Sequence, residues 1–388
     1  MFKKIINNKL FLIFVLALVI RLGFLIFFSP IPLESSDAPY YNEVALNIIS
    51  GKGITYRQET FSIPPAYPLF LAGIFKIFGQ SYDAVRIVQA ILSALTCVLI
   101  YLTAKNLFNR KVGLIAGLIA VIYPSFILQS TAILTETLFT FLLVLTMFCL
   151  FRALDKGLAG WGLAAGISLG LATLTRSVTL FFPVLILPLV FLYKKRQPIV
   201  ATFRNFILIL ILMFLVISPW AFKDSSIVRQ VDLVKKIINK DFFSQALSNI
   251  YKLYGHPYAL SDVTSYGYRE VFSKFIHGQA SFKELMPILK QATFWTKLGI
   301  LLFYYLILAM ALLGLALGYK NWRKFLPLIL IIVYMTLPHI IPEAVGRVNA
   351  RYVFPIMPFI IVLSAYGMSV FISIFLSKQN LRKVIKFG

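Results

Sequence analysis

The feature that most constrains this chain is the run LFLIFVLALVIRLGFLIFF, Leu10 to Phe28, in which Arg21 is the single charged residue. A helix of about 20 apolar residues covers the hydrocarbon core of a bilayer. The run lacks the small-residue cleavage site of a secretory signal and reads as a retained span. Further apolar runs follow at 83–107, 112–128, 134–152, 159–175, 178–193, 204–221, 296–318, 324–341 and 350–376. Backbone groups inside lipid must be satisfied within the chain, and isolated segments do this only as helices. The expected fold is an all-α integral membrane protein with about ten transmembrane helices. A 60% hydrophobic and 13% charged composition over 388 residues excludes an ordinary soluble domain.

The net charge of +24 is read by where it lies. Lys3, Lys4 and Lys9, then Lys105, Arg110 and Lys111, then Lys194, Lys195 and Arg196, all fall on one side if the spans alternate, as do Lys320, Arg323 and Lys324 and the tail cations from Lys378 to Lys386. By the positive-inside rule that side is the cytoplasm, so both termini are placed there, in a plasma (inner) membrane. Nucleic acid is not an expected partner. Cys97 and Cys149 fall in spans and are read as buried thiols outside any disulfide framework.

The same alternation puts 13 of the 14 acidic residues at the outer side, Asp155 being the exception. Two outer segments are long, 29–82 and 222–295, and amphipathic helical patterns are read in both. The chain divides into an N-terminal membrane module, 1–221, an outer region, 222–295, and C-terminal helices with a basic tail, 296–388. Neither a repeat nor a phosphate-binding glycine loop is present.

Within SSDAPYYNEVALNIISGKG, Tyr41, Val44, Ala45, Ile48 and Ile49 recur at the spacing of one helix face, and Gly51 stands just past the end. Asp37 is placed to cap this helix, with Pro39 in its first turn. A carboxylate at a span–loop junction can equally serve as a general base, and the two roles are compatible. Glu136, in STAILTETLFTF, sits at or just below the outer surface, where a charge is costly and a functional role is the default reading. The structural alternative is a helix N-terminal carboxylate with Thr131 or Thr135 as cap. Arg176, in ATLTRSVTLFFP, and Arg347 and Arg351, flanking the last outer loop, offer forked donors suited to phosphate, although an arginine at a helix end also snorkels to headgroups. Arg21 is either a polar partner within the bundle or a snorkelling residue. His256, His277 and His339 show no metal-ligand spacing, and Pro342 separates His339 from Glu343. Carboxylates could still hold a hard cation.

Taken in order, the acidic residue after the first span, YYNEVALNIISGKG, PPAYPLFLAGIFKIFG, RIVQAILSALTCVLIYLTAKNLF, YPSFILQSTAILTETLFTFLL, GLATLTRSVTLFF and RYVFPIMPFIIVLSAYG resemble the membrane glycosyltransferases of the GT-C superfamily. The closest branch looks like the protein O-mannosyltransferases and the lipid A aminoarabinose transferases. The likeness is strong over about 10–195, returns weakly at 325–376 and is absent from 222–295. It implies an inverting transfer of a hexosyl or pentosyl unit from a polyprenyl-phosphate carrier to a lipid, glycan or protein acceptor at the outer face. It implies Asp37 as base and Glu136 as a second carboxylate that positions the acceptor or a cation. Arg176, Arg347 and Arg351 then bind the carrier phosphate, and Tyr40 and Tyr67 the substrates. No cofactor is certain; a divalent cation, Mg, Mn or Zn, is compatible with the resemblance. Asp37 is followed by Ala38, where the mannosyltransferases tend to carry a second acid, and this leaves the acceptor open. The competing class is a transporter or flippase of a lipid-linked or anionic solute. Such proteins concentrate polar groups on broken helices at the midplane and repeat their halves; here the charges collect at the outer edge.

Overall fold

The structure, a computed structural model, describes residues 9–28, 37–57, 59–60, 63–156, 159–185, 199–221, 249–250, 253–254, 292–340 and 350–386. Its helices are α1 (Lys9–Phe27), α2 (Ala38–Ile49), α3 (Ala66–Phe78), α4 (Tyr82–Leu107), α5 (Arg110–Ile122), α6 (Pro124–Gln129), α7 (Thr135–Lys156), α8 (Ala159–Thr175), α9 (Ile199–Ala221), α10 (Ala292–Gly318), α11 (Trp322–Ile340) and α12 (Met357–Lys386). The all-α membrane class read from the sequence is borne out. Among the described residues, six stretches are long and apolar enough to cross a membrane, one of them, Trp295–His339, joining α10 and α11. The expected amphipathic helices of 222–295 lie almost wholly outside the described residues, as does the second half of the span expected at 178–193. The expected single span at 112–128 is instead two helices, broken at Tyr123 (φ −67, ψ 116) where Pro124 starts α6. Proline has no N–H to continue the ladder, and the residue before it is driven to extended backbone.

Two features of the 29–82 segment go beyond the helix read there. Thr55–Tyr56 and Glu59–Thr60 form a small antiparallel hairpin pairing Thr55 with Thr60 and Tyr56 with Glu59. It is pinned to α2 by Asn47 Nδ2 donating to the Thr55 carbonyl (2.9 Å) and by the Arg57 N–H donating to Glu43 Oε1 (2.8 Å). PPAYPLFLAGIFKIF then supplies α3, whose 13 residues reach only about 20 Å, short of a span. Ala38 and Ala45 of α2 bury against Tyr67, Leu71 and Phe75 of α3, with Val85 of α4 and Ile133 completing the cluster. The apolar face read for α2 is therefore real, except that Ile49, at its far end, stays 44% exposed.

Lipid gives little hydrophobic drive between helices, so the bundle closes on small residues. A Cβ on Gly170 of α8 would lie 2.6 Å from Cβ of Val216 on α9, and one on Gly314 of α10 would lie 2.6 Å from the Leu363 carbonyl oxygen on α12. On the other side of that contact, a Cβ on Gly367 would collide with the Met310 carbonyl oxygen. Both cysteines are buried free thiols. Gly367→Ala is expected to cost about 1–3 kcal/mol by overpacking against backbone that cannot move aside. Gly73→Ala, which meets nothing within 4 Å, serves as the neutral control. Thermal unfolding of the purified protein in detergent, followed by tryptophan fluorescence, checks the difference.

Candidate active site

Four of the residues singled out in the sequence converge at one end of the bundle. Asp37 occupies the N-cap position of α2, with Pro39 in the first turn, but its side chain makes no capping hydrogen bond. The backbone alone starts the helix, Tyr41 N–H donating to the Asp37 carbonyl (3.2 Å). The capping role read for the carboxylate is thus corrected: its Oδ2 instead meets Arg351 Nη2 at 3.0 Å. Arg351 lies in the stretch of 3-10 helix, Ala350–Ile356, that leads into α12.

Glu136 lies in the first turn of α7, where the helix dipole favours a carboxylate, and its side chain is only 2% exposed. Thr135 Oγ1 donates to its Oε2 (3.3 Å), whereas Thr131 turns back to the Leu128 carbonyl and caps nothing there. Its Oε1 accepts from Arg176 Nη1 at 3.3 Å and faces Arg351 Nε at 3.8 Å. Two carboxylates and two guanidinium groups therefore form one continuous cluster, Asp37–Arg351–Glu136–Arg176, of zero net charge. Both arginines lie over the Tyr352 ring, Arg176 at 5.4 Å and Arg351 at 5.5 Å, and the His339 ring stacks on Tyr352 at 4.3 Å and 3°. Tyr352 is the shared aromatic floor of the two cations, a contact that strengthens when water is excluded.

An open cleft of about 480 Å³ beside the cluster is lined by Asp37, Pro39, Tyr40, Tyr41 and Tyr56. Tyr40 packs on Tyr56 at 4.5 Å and edge-on to Tyr41 at 5.5 Å. Burial, reinforced by the Glu136 carboxylate, pushes the Tyr41 hydroxyl up to about 12, and burial raises Tyr40 still further. Both remain hydrogen-bond donors through the neutral range. Tyr67 does not line the cleft. It is fully buried behind Tyr41, ring to ring at 5.0 Å, and its hydroxyl donates to Gln89 Oε1 at 3.0 Å. Arg347 lies outside the described residues.

The sequence reading missed what holds Glu136 in place. One face of α4 carries Arg86, Gln89 and Ser93, spaced as helix neighbours. Arg86 Nε donates to the Thr131 carbonyl (3.1 Å), Gln89 Nε2 to those of Ser130 (3.2 Å) and Ala132 (2.6 Å), and Ser93 Oγ to that of Phe126 (3.1 Å). Arg21, fully buried, extends the row: its Nε donates to Ser93 Oγ at 2.7 Å, and its other nitrogens meet Cys97 Sγ and the carbonyls of Ala17, Ala120 and Val121. Arg21 is thus a bundle partner and does not snorkel. The detectable signal was a helical row of polar residues inside a predicted span; His339 and Tyr352 gave none.

A divalent cation was compatible with the sequence, and the residues present can be tested for it. Among the described residues, no three of His, Cys, Asp and Glu converge. The space between Asp37 and Glu136 is filled by the Arg351 guanidinium. As arranged, the two carboxylates do not fit a metal site.

Residues 62–222 match the family described as dolichyl-phosphate-mannose-protein mannosyltransferase. No curated protein matches the chain. Among solved structures, the archaeal oligosaccharyltransferase AglB from Archaeoglobus fulgidus, in complex with an inhibitory peptide and a dolichol-phosphate, superposes with a TM-score of 0.62 at 14% identity over 97% of this chain and 52% of that one. ArnT from Cupriavidus metallidurans, bound to undecaprenyl phosphate, gives 0.55 at 14% identity over 92% of this chain and 59% of that one. The Archaeoglobus enzyme in complex with Zn and sulfate gives 0.56 at 16% identity over 98% and 51%. The chain thus spans little more than half the length of each. The fold is that of the GT-C membrane glycosyltransferases, in agreement with the resemblance read from the sequence.

Removing Glu136 would leave two arginines facing each other in a poorly solvated site. Glu136→Ala is therefore expected to cost about 3 kcal/mol, in the range for breaking a buried pair. Asp37→Asn, at a half-exposed carboxylate, is expected to cost less than about 1 kcal/mol. Thermal unfolding of both variants in detergent measures the contrast.

Proposed function

We propose that the protein transfers a sugar, a hexosyl or pentosyl unit, from a polyprenyl-phosphate carrier to an acceptor hydroxyl, with inversion, at the non-cytoplasmic face of the membrane. The observation that carries this reading is the meeting of Asp37 and Glu136 with Arg176 and Arg351 beside a tyrosine-lined cleft. Supporting it, two proteins of the same fold are described with dolichol-phosphate and undecaprenyl phosphate. A polyprenyl phosphate keeps its tail in lipid and its phosphate at the interface, a demand that suits four charges gathered at one end of an apolar bundle.

In this reading the acceptor enters the cleft among Tyr40, Tyr41 and Tyr56. Asp37, half exposed, has one carboxylate oxygen on Arg351 and takes the acceptor hydroxyl proton. The acceptor oxygen forms its bond to the anomeric carbon as the bond from that carbon to the carrier phosphate breaks. The phosphate leaves with the electron pair, and Arg176 and Arg351 meet its charge with forked donors. Glu136 holds both guanidinium groups at the required level and so acts on the leaving group through them. Arg347, four positions before Arg351, is a third candidate for the phosphate. The Tyr40 and Tyr41 hydroxyls, kept protonated by burial, donate to acceptor oxygens.

Purified protein supplied with a polyprenyl-phosphate-linked sugar and an acceptor panel should release polyprenyl phosphate. Asp37→Asn is expected to lower kcat by about 10²–10⁴-fold with folding intact. Arg176→Ala should raise the donor KM by about 10–100-fold, the loss of a charged hydrogen bond. Near-normal turnover in Asp37→Asn would reduce Asp37 to a structural partner of Arg351.

A further inference from the structure

We propose that Arg351 is the resident cation of this site: its guanidinium stands where a divalent ion would bridge Asp37 and Glu136, and the site binds such an ion only when Arg351 is removed. The inference concerns the same residues as the transfer proposed above. Its readout is metal binding, so it can fail while that reading stands, and the reverse.

Three observations carry it. The first is geometry. Arg351 presents different nitrogens to the two carboxylates, Nη2 at 3.0 Å from Asp37 Oδ2 and Nε at 3.8 Å from Glu136 Oε1, and so occupies the gap between them. Asp37 and Glu136 come from positions 99 residues apart, and this one side chain ties them together (136 minus 37). The second is charge. Arg176 already sits on Glu136, so the two carboxylates are balanced by two guanidinium groups. A divalent ion entering the intact cluster would add two positive charges to a neutral group whose central carboxylate is almost fully buried. A lysine could answer by losing a proton; arginine does not deprotonate in proteins. The ion therefore has to expel Arg351 bodily from its seat over Tyr352.

The third is the donor set. Mg and Mn are held by near-octahedral oxygen shells and Zn by four N, S or O ligands. The described residues bring only two carboxylates to this point, and no third His, Cys, Asp or Glu joins them. His339, the one imidazole among the described residues, is stacked flat on Tyr352, whose ring also carries the Arg176 cation. Truncating Arg351 changes this balance. It leaves Asp37 and Glu136 facing each other with one cation fewer, a like-charge pair that a metal ion relieves.

The test is a Mn²⁺ titration of the full chain in detergent, followed by electron paramagnetic resonance of the free ion, with a parallel Zn²⁺ titration. Wild type is expected to show no saturable site. Arg351→Ala is expected to gain one site, at least about tenfold tighter than any wild-type binding, and to lose it again when Asp37→Asn is added. Arg351→Gln, which keeps most of the side-chain volume, repeats the measurement should the alanine variant unfold. A saturable wild-type site for either metal that Asp37→Asn or Glu136→Gln removes would overturn the proposal. So would folded Arg351→Ala or Arg351→Gln protein that gains no site.

Discussion

Everything at the site end of this bundle depends on how a broken backbone is made tolerable inside a membrane. Between Ile122 and Thr135 the chain leaves regular helix twice, and its carbonyls lose their ladder partners where water is scarce. The row Arg86, Gln89, Ser93 and Arg21 answers those carbonyls one after another. Each hydrogen bond is modest, but each orphaned carbonyl would cost about 1–3 kcal/mol. The irregular segment is therefore as determined as a helix, and Glu136 begins the next helix at a fixed height. Gln89 also receives the Tyr67 hydroxyl, so the same amide ties the Glu136 side of the site to the α2–α3 layer that carries Asp37.

The four-charge cluster solves a second problem of the same kind. A carboxylate as buried as Glu136 gives up its hydration and needs charged partners in exchange. Two arginines supply them, and each is itself supported by the π face of Tyr352. The arrangement graduates exposure: Glu136 is almost dry, the arginine side chains are about one-fifth exposed and Asp37 is half exposed. Charges that hold the site are inside, and Asp37, the proposed base, is at the rim.

Much of this is legible in the amino-acid sequence. Apolar runs mark the spans because lipid imposes one secondary structure on them, and Asp37, Glu136, Arg176 and Arg351 stand out because each is an expensive residue in its place. What hydropathy does not register is backbone satisfaction. Arg86, Gln89 and Ser93 look like minor blemishes in an apolar helix until the carbonyls they serve are known. Tyr67 reads as substrate-facing since aromatic rings serve cleft and core alike; the structure puts it in the core. The hairpin at 55–60 escapes because two-residue strands leave no periodicity to detect. The N-cap position of Asp37 follows from spacing, yet its partner lies 314 positions away, beyond the reach of any local rule (351 minus 37).

The glycine contact between α10 and α12 bears on this site from a distance. Where backbones touch at Gly314 and Gly367, no side chain can shift rotamer to absorb displacement. The two helices behave as one strut, and Arg351 is mounted on the turn at its tip. Arg351 therefore stands on a support that cannot slide at this contact without parting two backbones.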